Sequence, residues 1–288
     1  MNPADFALDP RPIGVFDSGV GGLTVLKSLM ALMPGESFVY LGDTARVPYG
    51  TKSADTVRGY SMDLARILLS KNVKMIVIAC NTASVHGAKA IAEFVAPIPV
   101  IEMVAPAAAA AAAATKNNSI LLMATQSTVR SAAYPAALHA INPALEISSI
   151  PTQILVALAE EGWVDGEVAE NVVGRYIRSY FTTTMRPDTV ILGCTHFPLL
   201  REVIARIAGD GVTLIDSGEA AARYILKNFR VRTDKSSAKT PLFFATDSVD
   251  RFAPMVERFL GHTALQGTVE QIDLMNFEIQ NPSLSKAI

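Results

Sequence analysis

Cysteine is scarce in this chain: two residues in 288, Cys80 and Cys194. A scaffold stapled by several disulfides is therefore excluded, and the one possible bridge is not expected in a reducing compartment. Charge is sparse as well. Charged residues make up 18% of the chain and the net charge is −2, which leaves no dense Lys/Arg patch for nucleic acid or for an acidic membrane. No apolar segment reaches the roughly 20 residues needed to cross a bilayer. The nearest case, the alanine run at 107–114, lies between Pro106 and Thr115-Lys116-Asn117. The opening residues, MNPADFALDPRP, have neither the basic start nor the apolar core of a secretory signal. These absences predict a cytoplasmic protein with no nucleic-acid and no membrane partner.

Half of the residues are hydrophobic, enough to bury a substantial core. They fall into short continuous runs: IGVF at 13–16, SFVYL at 37–41, MIVIA at 75–79, VIEM at 100–103, ILLMA at 120–124, EISSI at 146–150, TVILG at 189–193, TLID at 213–216 and LFFAT at 242–246. Continuous rather than alternating runs fit strands covered on both faces. Amphipathic stretches separate them, so the fold class is α/β with mostly parallel sheets. Pro106 marks an expected helix start, since proline suits a first turn.

Two stretches nearly copy one another, IVIACNTAS at 76–84 and VILGCTHFP at 190–198. Each apolar run stops at a cysteine and turns at once to hydroxyl, amide or imidazole side chains. This predicts two pseudo-symmetric domains with a site in the cleft between them. The expected division gives 1–104 with 217–288 to one domain and 105–216 to the other. Ligands of such sheets bind at the carboxyl ends of the strands, where both cysteines fall.

A buried free cysteine is commonly just a small hydrophobe, but these two have polar neighbours that would pack poorly. His196 lies two residues from Cys194, and Asp17 closes the first strand, where it could approach Cys80. Such neighbours can favour and orient a thiolate. The loop DSGVGGLT at 17–24 permits a close backbone approach, yet Thr24 stands where a dinucleotide fingerprint needs its third glycine. Zinc is not expected, because the spacings of Cys80, His86, Cys194 and His196 match no finger or ribbon. A serine hydrolase lacks its G-x-S-x-G elbow. His139 and His262 read as ordinary residues.

Two thiols facing one carbon suggest inversion of a stereocentre: one removes a proton from one face, the other delivers a proton to the opposite face. A thiol with an ordinary pKa of about 8.5 can serve in either role. The carbanion-like transition state needs aimed donors, and Ser18, Asn81, Thr82 and Thr195 are of the right kind.

At this point the chain resembles the glutamate racemase family, on the motifs FDSGVGGLTV, LGDTARVPYG, ACNTAS and GCTHFPLL. The resemblance implies cofactor-independent interconversion of L- and D-glutamate, with D-glutamate supplied to peptidoglycan. It implies that Cys80 deprotonates D-glutamate and Cys194 L-glutamate, assisted by Asp17 and His196 respectively. Substrate contacts would be Asp17, Ser18, Tyr49, Gly50, Asn81, Thr82, Thr195 and His196, with Thr125 and Thr128 near the carboxylates. Asp43 and Glu160 match further acidic positions. One departure is visible: Thr152-Gln153 stands where the family segment usually reads Cys-Pro, and it is not expected to touch the chemistry. An aspartate racemase and a binding protein that lost the chemistry are the rival expectations. A homodimer is the common default for such a chain, and the N-terminal stretch 1–11 has no reading.

Overall fold

The computed structural model describes residues 3–183, 186–237, 239–260, 269–274 and 276–277. His262 therefore lies outside the described residues. Among the described residues there are ten strands: β1 Ile13–Asp17, β2 Phe38–Gly42, β3 Met75–Ile78, β4 Val100–Ile101, β5 Ser119–Ala124, β6 Glu146–Pro151, β7 Thr189–Gly193, β8 Thr213–Asp216, β9 Leu242–Ala245 and β10 Val269–Gln271. They form two sheets, ordered β10-β9-β2-β1-β3-β4 and β6-β5-β7-β8. Every pairing is parallel.

The order β2-β1-β3-β4 in the first sheet is repeated as β6-β5-β7-β8 in the second. Each strand of one quartet thus has its counterpart four strands later, which is the pseudo-symmetry of the two α/β domains. Cys80 follows β3 and Cys194 follows β7, the equivalent strand. Asp17 ends β1 and Thr125 follows β5. The strands β1, β2, β3, β5 and β7 are buried at every position, because helices cover both faces. Their valine, isoleucine and leucine side chains pack into clusters on either side of each sheet.

Local differences from the sequence pattern have physical causes. The helix after β4 runs Val104–Ala114 and starts two residues before Pro106. Proline in a first turn costs no internal hydrogen bond, and the Glu102 carboxylate accepts from the free N–H groups of Val104 and Ala105 at 2.5 and 2.8 Å. The stretch 126–141 is two helices, Gln126–Ser131 and Ala133–Ile141, broken where Ala132 takes a φ of 54°. The N-terminal stretch is built in rather than loose. Phe6 is buried, its ring 5.3 Å from that of Phe229. Lys74 donates to the Phe6 and Asp9 carbonyls at 3.1 and 3.0 Å and to Glu36 at 2.7 Å.

Candidate active site

The first thiol is fixed by a helix start. Cys80 is the N-cap of the helix Asn81–Val95, and its Sγ accepts from the Ala83 N–H at 3.4 Å. Its S–H donates to Ser18 Oγ at 3.6 Å. A helix N-terminus favours a thiolate, but burial wins here. With the Asp17 charge adding to it, burial pushes the Cys80 thiol up to about 12, so Cys80 holds its proton at neutral pH.

The second thiol has a different partner. Cys194 Sγ is 3.8 Å from His196 Nδ1, and His196 Nε2 is 2.9 Å from Glu160 Oε1. Burial opposes charge on this ring, but the hydrogen bonds and charges of Cys194 and Glu160 outweigh it and raise His196 to about 10. A titration of His196 by NMR is therefore expected to show a midpoint near 10, not near the ordinary 6.5. Because the folded value lies above the unfolded one, the stability this pairing contributes is full below about 6.5 and is lost as pH rises through about 10. A midpoint near 6.5 would break the Glu160–His196–Cys194 chain.

Both cysteines line one small cavity with Ser18, Tyr49, Gly50, Asn81, Thr82, Thr125, Gln153, Thr195 and His196. Its volume is about 30 Å³, room for a water or two. An antechamber of about 370 Å³ shares Ser18, Pro48, Gln153, Val156 and His196 with it. A larger groove of about 920 Å³ lies between the helices Ala54–Ser70 and Asn81–Val95, but among the described residues no thiol, histidine or amide side chain lines it.

Contacts across the cleft set the walls. Thr24 Oγ1 donates to the Thr195 carbonyl at 2.8 Å, and Gly21 approaches so closely that a Cβ there would lie 2.4 Å from Thr195 Oγ1 and 2.5 Å from the His196 ring. Only glycine fits. Thr82 and Thr125 hydroxyls meet at 2.8 Å, and Thr128 completes the triangle at 3.2 and 3.0 Å. Asn81 is held by Tyr134, whose OH donates to Oδ1 at 2.6 Å, and by Ser217 Oγ, which accepts from Nδ2 at 3.2 Å.

A family model described as Asp/Glu/Hydantoin racemase matches residues 16–225. The chain belongs to the Asp/Glu/hydantoin racemase family. Relatives within it include a glutamate racemase of Geobacter metallireducens, 41% identical over 92% of this chain and 97% of that protein. Another, from Neisseria meningitidis, is 42% identical over the same shares. Among solved structures, the Francisella tularensis glutamate racemase in complex with D-glutamate is 38% identical with a TM-score of 0.81, covering 92% of this chain and 98% of that one. A Picrophilus torridus aspartate racemase shares the fold at 21% identity, TM-score 0.56, over 78% of this chain and 96% of that one.

For a member of this racemase family, the residues named from sequence sit at two depths. Ser18, Tyr49, Gly50, Asn81, Thr82, Thr125, Thr195 and His196 line the cavity with the cysteines. Asp17 and Thr128 lie behind that wall, 0% and 1% exposed. Asp17 accepts from the Gly19 N–H at 3.1 Å, and burial raises its carboxyl. It acts on Cys80 through charge, which lifts the thiol. The Tyr49 hydroxyl turns away from the cavity to a short hydrogen bond with Asp43, which Thr246 and Arg46 also hold.

Gln153 corrects the sequence expectation, because it stands on the cavity wall. Tyr134 and Ser217 behind Asn81 had no signal in the sequence, since they reach it from 53 and 136 residues away. Among the described residues, no group of three or more His, Cys, Asp or Glu is placed to hold a metal ion, and no helix is long and apolar enough to cross a membrane.

Proposed function

We propose that this chain is a glutamate racemase, interconverting L- and D-glutamate without a cofactor by proton transfer between two thiols. The observation that carries the reading is the pair of cysteines facing one cavity from equivalent strand ends. In the L-to-D direction, Cys194 takes the α-hydrogen as a proton and the C–H electron pair stays on the α-carbon. Cys80 then delivers its S–H proton to the opposite face. One C–H bond breaks and one forms, no electrons are exchanged with the protein, and the thiols swap protonation states. The reverse direction runs with the roles exchanged.

The environments suit that division. A neutral Cys80 thiol, held at about 12, keeps its proton until negative charge develops at the α-carbon. A protonated His196, held at about 10, supplies the positive partner that a thiolate at Cys194 needs. Glu160 holds the ring in place. Backbone and side-chain donors at Ser18, Asn81 and Thr195 stabilise the carbanion-like transition state. The inner cavity is too small for an amino acid, so the walls must part for glutamate to enter from the antechamber.

This reading assigns 1–104 with 217–288 to one domain and 105–216 to the other, and gives the product D-glutamate a destination in peptidoglycan and cell shape. The test is polarimetry of the purified protein with L-glutamate or L-aspartate and no added cofactor. Loss of rotation to zero with glutamate is the expected result. Loss with aspartate alone would change the substrate, and loss with neither would overturn the reading.

A further inference from the structure

We propose that Gln153 is a substrate-binding residue, its carboxamide N–H donating to the substrate carboxylate held at the Gly50–Thr125 end of the cleft. The inference rests on the racemase reading above and names a contact which that reading lacks. Gln153 precedes the helix Ile154–Glu161, but its side chain makes no capping hydrogen bond. The amide turns to the cleft instead, lining both the inner cavity and the antechamber. Any substrate passing from one to the other meets it.

Its Oε1 is buried and has no hydrogen-bond partner among the described residues. An unpartnered buried polar atom is costly, so the group awaits one. The atom lies against Gly50, where an added Cβ would stand 2.5 Å from it and 2.8 Å from Thr125 Cβ. The other groups at that end are the hydroxyls of Thr82 and Thr125, 2.8 Å apart. A hydroxyl that turns its one O–H from its threonine neighbour into the cleft offers a donor to an anion there, and an acceptor is the odd group at that end. A carboxamide carries two N–H donors beside its one carbonyl, and half a turn about its terminal bond presents them to the seat. The same helix brings Glu160, seven positions on, to His196 at 2.9 Å. It therefore serves the cleft at both ends, orienting the His196 ring with one residue and binding substrate with the other.

The test is steady-state kinetics on both enantiomers of glutamate with Gln153→Ala and Gln153→Glu, alongside thermal midpoints. Losing a hydrogen bond to a charged group is expected to raise KM about tenfold or more in Gln153→Ala, with kcat within about threefold, the pattern of lost uniform binding. Gln153→Glu has nearly the same shape but cannot donate and adds a negative charge, so its KM is expected to rise further. A KM for Gln153→Glu at or below that of the unaltered protein would overturn the proposal, as would a fall in kcat at constant KM, the mark of a packing role. Activity of the unaltered protein on glutamate with KM unmoved in both variants sinks the Gln153 contact alone. Its inactivity on glutamate sinks the racemase reading and this contact together.

Discussion

Replacing Cys80 by serine is expected to slow α-proton exchange of D-glutamate by about 10²–10⁴, the usual worth of a positioned acid or base. Exchange of L-glutamate should be far less affected, because Cys194 and its His196–Glu160 support are untouched. Cys194→Ser should show the opposite pattern, and both variants should lose racemisation. Exchange is the necessary readout. The enantiomers have equal free energy in water, so net racemisation rates in the two directions are tied together and cannot separate the two faces. Serine nearly preserves the shape of cysteine but holds its proton far more tightly, so the variants remove the base without remaking the cavity. The two thiols are also unequal at rest. Burial and Asp17 keep Cys80 protonated to about 12, while Cys194 faces an imidazole raised to about 10. Equal exchange defects for both enantiomers in both variants would end the idea of one thiol per face.

The second large effect concerns stability. Glu36 and Lys74 are paired at 2.7 Å with both side chains 0% exposed. Glu36 also accepts from Arg232, through its backbone N–H at 2.9 Å and its guanidinium at 2.7 Å. Lys74 in turn holds the carbonyls of Phe6 and Asp9. One carboxylate therefore ties the N-terminal stretch, the approach to β3 and the segment after the helix Ser217–Asn228. Glu36→Ala leaves the Lys74 ammonium buried without a counter-charge, and breaking such a pair from one side costs about 3–5 kcal/mol. Urea unfolding is expected to show that loss with an unchanged slope. Arg232→Ala should cost less, because Arg232 is partly exposed and Lys74 keeps its partner. A loss below about 1 kcal/mol for Glu36→Ala, typical of a surface pair, would contradict the buried clip.

Much of the architecture is legible in the sequence because it depends on local pattern. The runs at 13–16, 189–193 and 213–216 become strands with at most one residue added, since continuous apolar runs have no other good place to go. The strand β10, with residues Val269, Glu270 and Gln271, carries no such pattern; its pairing with β9 alone makes it a strand. The break at Ala132 is equally silent, because alanine favours helix and only the surrounding structure holds its left-handed φ. In the site, Cys80, Cys194 and His196 stand out because polar groups follow apolar strands. The hydroxyl of Tyr49 gives no hint that it serves Asp43 rather than the cavity. Gln153 looks neutral in sequence because amides are common at helix starts, and only the closeness of Gly50 and Thr125 brings it to the cleft.

The most direct test of the two-thiol account is the early time course of L-glutamate with the unaltered protein in D2O. The account predicts that D-glutamate formed in the first turnovers carries deuterium at the α-carbon, delivered from Cys80, while recovered L-glutamate keeps its hydrogen. Deuterium entering both enantiomers at the same initial rate would contradict it, because a single base would then be serving both faces.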